Sequence, residues 1–261
     1  CKINAIVVKE GQYGNPEMHK TLLPNDPLYL MSNTSVSNDL KELNLNDPMF
    51  IKFGGDEGFE KTYNIDYYGV NNQVKVRYSI ATESTRKGKG SKSHGKHAGN
   101  NVGVSVLRAG RELDLDISWA NRYDTRERWW GVEIEFPPYL DEVFGVTNNK
   151  QYANNFKELG DFDINATLKD RDQTILEFKD DLKQDNDPKV YLLEIAIGIK
   201  NQIKNMREII KAQAGRLEKE DSKKRHEDET EAEKHATEVT KTRSEDGHTG
   251  ESETKAKGKS E

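Results

Sequence analysis

The sequence predicts an α/β fold, α+β in the segregation of its elements: a small mixed or mainly antiparallel sheet with helices on one face, then a long C-terminal helix and a disordered tail. Three observations predict it. Apolar residues alternate with period two between Gln73 and Phe136, recur every three or four positions between Leu192 and Leu217, and stop recurring after Glu218. Composition agrees, since 33% of the 261 residues are hydrophobic and 33% charged, with a mean hydropathy of −0.94. Part of the chain therefore lacks the apolar surface that offsets ordering entropy.

The chain opens on Cys1 and enters the candidate strand Ile3-Asn4-Ala5-Ile6-Val7-Val8 at once. This start predicts a fragment of a longer chain, with a lipid-bearing cysteine as the alternative. Residues 11–47 are rich in Asn, Asp, Pro and Ser, and Pro16, Pro24 and Pro27 break any helix or central strand. Residues 1–72 thus form an irregular segment, mostly surface, with short strands at 49–53 and 62–68 around the turn-forming Gly54-Gly55-Asp56-Glu57-Gly58.

The core, 73–160, begins with Val74, Val76, Tyr78 and Ile80 alternating with Lys75, Arg77 and Ser79, the pattern of a strand burying one face. Val102, Val104 and Val106 repeat the pattern, pass through Arg108-Ala109-Gly110-Arg111 and resume as Leu113, Leu115 and Ile117, which is a hairpin. A further strand, 130–136, puts Val132, Ile134 and Phe136 on one face and Glu133 and Glu135 on the other. Pro137-Pro138 end it, and a short helix carrying Leu140, Val143 and Phe144 stops at Gly145, where a left-handed cap suits glycine.

Residues 161–217 are helical. Ile164, Leu168, Ile175, Phe178 and Leu182 fit one stripe over 163–183. Asp187-Pro188 signals the start of the next helix, whose Leu192, Ile195, Ile199, Ile203, Met206, Ile210, Gln213 and Leu217 predict a coiled face packed along a partner, with a homodimer one possibility. The tail, 218–261, is almost wholly charged or polar and is expected to be mobile.

The net charge of −6, from 40 basic and 46 acidic residues, marks a mixed polyelectrolyte and names no partner. One cysteine excludes a disulfide framework or a cysteine-rich zinc site within the chain, which suits a reducing compartment. No apolar run approaches the roughly 20 residues of a membrane-spanning helix. No membrane partner and a cytoplasmic location are expected.

Several groupings could carry chemistry. Glu133 with Glu135, and Asp114 with Asp116, are i and i+2 on strands and point the same way, as paired carboxylates would; they equally fit the polar face of a half-buried sheet. His94 and His97 have a metal-compatible spacing, but in a loop with no cysteine or carboxylate beside them. The stretch 86–97, Arg86-Lys87-Gly88-Lys89-Gly90-Ser91-Lys92-Ser93-His94-Gly95-Lys96-His97, lacks the GxxxxGK[ST] order of a phosphate loop, and no helix is expected after it. It is either a basic loop touching nucleic-acid or nucleotide phosphates or a solvated connection.

The most informative stretch is 126–151, in which Trp129-Trp130-Gly131-Val132-Glu133-Ile134-Glu135-Phe136-Pro137-Pro138-Tyr139-Leu140-Asp141-Glu142-Val143-Phe144-Gly145-Val146-Thr147-Asn148-Asn149-Lys150-Gln151 follows Gly103-Val104-Ser105-Val106-Leu107-Arg108-Ala109-Gly110-Arg111-Glu112-Leu113. Strand, short helix and polar loop together present one lysine able to reach a phosphate. The segment resembles the transducer domain of GHKL ATPases, the superfamily of gyrase B, MutL, the ninety-kilodalton heat-shock chaperones, histidine kinases and microrchidia proteins. The likeness spans about residues 75–151, and the later helices in outline.

The resemblance implies a transducer-like second domain that couples ATP binding and hydrolysis to conformational change. It implies that Lys150 contacts the γ-phosphate held by the chain's own N-terminal ATP-binding domain, with Asn149 and Gln151 as further nucleotide contacts. A fixed cation there favours the charge on a transferring phosphoryl group. The order departs from the Gln-Thr-Lys of topoisomerases, so the resemblance leaves open which neighbour of Lys150 also donates. ATP and Mg²⁺ are cofactors of the parent ATPase only, because this chain lacks the ordered acidic, asparagine, DxGxG and glycine-rich lid motifs. It is expected to be inactive alone. The competing expectation is a non-enzymatic nucleic-acid-binding or scaffolding module using 86–97 and the coiled helix.

Overall fold

The computed structural model describes residues 3–11, 14, 17–31, 34–36, 42–44, 47–87 and 90–245. Its centre is a six-stranded mixed sheet built on β7 (Val70–Ala81) and β10 (Trp130–Phe136), which run antiparallel with Trp130 opposite Ile80. On the far side of β7 lie β6 (Glu60–Tyr67) and β5 (Phe50–Lys52), both antiparallel to it. On the far side of β10, β8 (Val104–Arg108) runs parallel and carries β9 (Arg111–Asp116) as the antiparallel edge. The period-two reading thus finds its strands, with the buried Val74, Val76, Tyr78 and Ile80 facing one side.

Two further strand pairs lie in the N-terminal part: β1 (Ile3–Val7) with β2 (Met18–Leu22), and β3 (Glu42–Asn44) with β4 (Asp47–Pro48). This part is less superficial than its composition suggests. Leu28, Tyr29 and Val36 are buried in the common core, and Tyr29 stacks on Phe50 at 4.6 Å. Prolines exclude regular structure here without excluding burial. Several residues of 11–47 lie outside the described residues.

Helices α1 (Gly55–Gly58), α2 (Glu83–Lys87), α3 (Ser93–Gly99), α4 (Asp141–Phe144) and α5 (Asn154–Asp161) connect or follow the strands. The expected single helix over 163–183 is two: α6 (Ile164–Asp170) and α7 (Ile175–Gln184). Asp172 takes a left-handed φ of 54°, and Thr174 opens α7 with a capping box to Glu177. The stripe survives the break because Ile164, Leu168, Ile175, Phe178 and Leu182 all pack on the core from both helices.

Asp187 accepts from the Lys189 amide and opens a 3₁₀ turn, Pro188–Tyr191, and α8 (Leu193–Glu245) follows. As far as Ile210 its apolar stripe is covered by this same chain. Leu193, Ile195, Ala196, Ile199, Ile203, Met206 and Ile210 are at most 2% exposed and join the core of this same chain. A fully buried side chain of this kind contributes about 1.5–3 kcal/mol. The chain divides into two units, Cys1–Ala212 and Gln213–Glu261. Within the first unit, described residues on both sides of 72 and of 160 share one core. Where the composition predicts a mobile tail from 218, α8 runs on through Glu245. Residues 246–261 lie outside the described residues. Among the described residues no helix is long and apolar enough to cross a membrane.

Candidate functional site

The Lys150 loop is positioned by the parallel pairing of β8 and β10. Arg108, the last residue of β8, lies opposite Phe136, the last of β10, and Ala109 N–H donates to the Phe136 carbonyl at 3.0 Å. The chain then turns through Pro137 and a 3₁₀ turn, Pro138–Leu140, into α4, which brings Asp141 back to Arg108. The guanidinium grips Asp141 with two bonds, Nε to Oδ1 at 2.6 Å and Nη2 to Oδ2 at 2.9 Å. Such bidentate pairing fixes direction as well as distance.

Gly145 closes α4 with a φ of 67°, its N–H bonding the Glu142 carbonyl while Val146 N–H bonds that of Asp141. A side chain is barred here twice over. The conformation is left-handed, and a Cβ would lie 2.7 Å from the Asn155 amide nitrogen. Beyond it, Val146 bridges Ala153, and residues 147–152 form a closed loop around the Thr147 hydroxyl. That hydroxyl donates to Asn149 Oδ1 at 2.6 Å and accepts weakly from the amides of Gln151 and Tyr152. Asn149 Nδ2 donates to Gln151 Oε1 at 2.9 Å.

The loop therefore gathers the three expected residues but uses them differently. Asn149 and Gln151 bond each other and shape the turn. Lys150 sits at the tip with φ 56°, uncommon outside glycine, and its ammonium reaches Asp141 Oδ2 at 2.7 Å. Its side chain is 42% exposed. Burial opposes the charge on Asp141, but the bonds from Arg108 and Lys150 outweigh it and hold the carboxyl below the usual carboxylate range. The hydrogen bond to Asp141 in turn raises the Arg108 guanidinium. Arg108 and Asp141 are the site residues that sequence reasoning missed. Both stood in the two quoted motifs, but only the strand register pairs them.

The other candidates resolve into structure. Arg77 faces Glu133 across β10 and Glu60 across β6, and binds each at 2.7 Å, with Glu135 at 3.0 Å. Glu133 is 5% exposed, so the inner carboxylate of this network is buried while Glu60 and Glu135 remain partly exposed. Burial raises the Glu133 carboxyl and Arg77 opposes that rise. Asp116 is spent on the Ser118 amide and the Trp119 indole. Among the described residues no three His, Cys, Asp or Glu side chains group to hold a metal ion.

The basic stretch 86–97 is not a plain connection, for α2 ends in it and α3 begins in it. His94 and His97 sit on α3, where His94 Nε2 lies 3.1 Å from the Thr85 carbonyl and His97 Nδ1 lies 2.9 Å from the Tyr29 hydroxyl. They are turned to different partners. Arg86 is buried, with Nη1 donating to the Ala81 carbonyl.

Comparison of the chain with family models, with curated proteins and with solved structures finds no match.

Proposed function

We propose that this chain is the transducer region of a GHKL-type ATPase, and that its Lys150 loop senses the γ-phosphate. One observation carries the reading: Lys150 shares a carboxylate that Arg108 already neutralises with two bonds. The ammonium can leave Asp141 without stranding a charge. A partly exposed ion pair of this kind contributes only about 0–1 kcal/mol, so exchanging Asp141 for a phosphate oxygen is a near-balanced step. The left-handed backbone at Lys150 supports the same reading, because such conformations persist where surrounding bonds enforce them, as Thr147, Asn149 and Gln151 do here.

The Lys150 ammonium, once released from Asp141, fits a phosphate oxygen. The sequence lacks the ordered acidic, asparagine, DxGxG and glycine-rich lid motifs of a nucleotide site, so in this reading metal and nucleotide belong to the ATP-binding domain. ATP there supplies the transferable phosphoryl group. This chain's residues then do three things: Lys150 holds a cation at the phosphate, Arg108 keeps Asp141 paired when the lysine moves, and Asn149 with Gln151 keeps the tip in shape.

The test is Lys150→Ala in the ATPase containing both domains. Removing a preorganised charge from a transferring phosphoryl group costs on the order of 3 kcal/mol, or about a hundredfold in rate. Lys150→Arg should rescue only partly, since a planar fork donates in other directions than an ammonium. Lys157→Ala, on α5 outside the loop, is the control. Equal small effects at both positions contradict the proposal.

A further inference from the structure

Two guanidinium groups at α2 and α3 bond backbone carbonyls, and of the two Arg86 also feels the charge of Glu83 three residues before it. Arg128, on the 3₁₀ turn Thr125–Trp129, donates through Nε to the Thr125 carbonyl at 2.8 Å and through Nη1 to those of Gly95 at 2.9 Å and Gly90 at 3.2 Å. A Cβ on Gly90 would lie 2.6 Å from Arg128 Nη1, so this glycine makes room for the guanidinium. Arg86 is 9% exposed, its Nη1 bonded to the Ala81 carbonyl and its Nε buried without an acceptor among the described residues. Neutral carbonyls satisfy hydrogen bonds but leave the positive potential standing.

Around these two sit exposed cations. Lys92 and Lys96 lie one helical turn apart at the start of α3, and Lys87 ends α2. Within 83–99 the one carboxylate is Glu83. The nearby acids of the adjoining turn are occupied: Glu127 by Arg207 and the Trp130 indole, and Asp124 by Arg126. On the approach to that turn, Tyr123 is 97% exposed and Arg122 is exposed beside it.

We infer that α2, α3 and the 121–128 turn form a binding surface for single-stranded nucleic acid, with Lys92 and Lys96 on successive phosphates, Arg86 and Arg128 supplying fixed potential behind them, and Tyr123 stacking a base. Spaced cations with one bare aromatic ring fit a strand whose bases are free to stack, whereas a duplex hides its base faces. The surface is independent of the Lys150 loop. Either assignment can fail alone.

Fluorescence anisotropy of a labelled single-stranded oligonucleotide, titrated with the full chain at several salt concentrations, tests it. Each phosphate contact contributes about 0.7 to the slope of log affinity against log salt for single strands. Lys92→Ala with Lys96→Ala should therefore lower the slope by about 1.4 and the affinity at 0.1 M salt by about 25-fold. Tyr123→Ala should cost at least about fivefold with the salt slope unchanged, as loss of a stacked base does. All three positions are exposed, so the fold is preserved, and Lys183→Ala on α7 should bind like wild type. No binding at low salt, or loss of affinity at Lys183 equal to that at Lys92 and Lys96, overturns the inference. So does binding of duplex, heparin or polyglutamate as tight as the single strand with no effect of Tyr123→Ala.

Discussion

Replacing Gly145 with alanine should unfold the joint that carries the Lys150 loop. The cost has two parts. A left-handed φ of 67° penalises a Cβ by about 1–2 kcal/mol. The Cβ also meets the Asn155 backbone nitrogen at 2.7 Å, and relieving such overpacking costs about 1–3 kcal/mol, because backbone cannot rotate aside as a side chain can. The sum is about 2–5 kcal/mol. For a unit of this size each kcal/mol moves the thermal midpoint by about 2–4 °C, so a fall of roughly 5–20 °C is expected. Gly110→Ala separates the two parts, since Gly110 has a similar φ of 75° but open space where its Cβ would stand. It should cost only the conformational part. Thermal unfolding followed by near-ultraviolet circular dichroism measures both variants, and equal losses at Gly145 and Gly110 would refute the packing argument at the loop's base.

Three further outcomes follow from particular contacts. Glu127→Ala leaves Arg207 and the Trp130 indole without their shared acceptor and should cost about 3 kcal/mol in urea unfolding, the lower end for breaking a buried pair because Arg207 is partly exposed. Asp141 has a folded-state value below its unfolded one of about 4, so its contribution is complete above that pH and is lost as the pH falls through the folded value. Asp141→Asn should accordingly flatten the stability loss between neutral pH and about pH 3; an unchanged acid limb would contradict the pairing. The chain truncated after Ala212 should differ from the full chain by the helical ellipticity of the rest of α8, and a coil-like difference spectrum would contradict its continuation to Glu245.

The strands were legible because each buries one face or two, and burial imposes alternation that no other element produces. Gly145 and Asp187 were legible because their backbone roles are local. What escaped the sequence was long-range. The Arg108–Asp141 grip depends on β8 lying parallel to β10, and the hairpin pattern of β8 and β9 is silent about that neighbour. The alternation places Arg77 on the face opposite Val76 and Tyr78 but does not say that Glu60 and Glu133 flank it there. The glycines of 86–97, weighed against a phosphate loop, lack its order, and the sequence did not show that Gly90 and Gly95 receive Arg128 from a turn more than thirty residues on. The Leu192–Ile210 stripe was readable as buried, but a stripe does not state whether its cover is another chain or its own sheet. The break between α6 and α7 was encoded in Thr174 and Glu177, a capping box that the unbroken apolar period concealed.

The central claim is that Lys150 reads the terminal phosphate, and the most direct measurement is the ratio of affinities for a non-hydrolysable ATP analogue and for ADP in the ATPase containing both domains. A charge-assisted bond to the terminal phosphate is worth about 1.5–3 kcal/mol, so Lys150→Ala should shrink the preference for the triphosphate by at least about tenfold. ADP affinity should stay the same, and so should the thermal midpoint of the compact unit, because Arg108 still holds Asp141. An unchanged triphosphate preference in Lys150→Ala, or an equal loss of affinity for both nucleotides, would contradict the account.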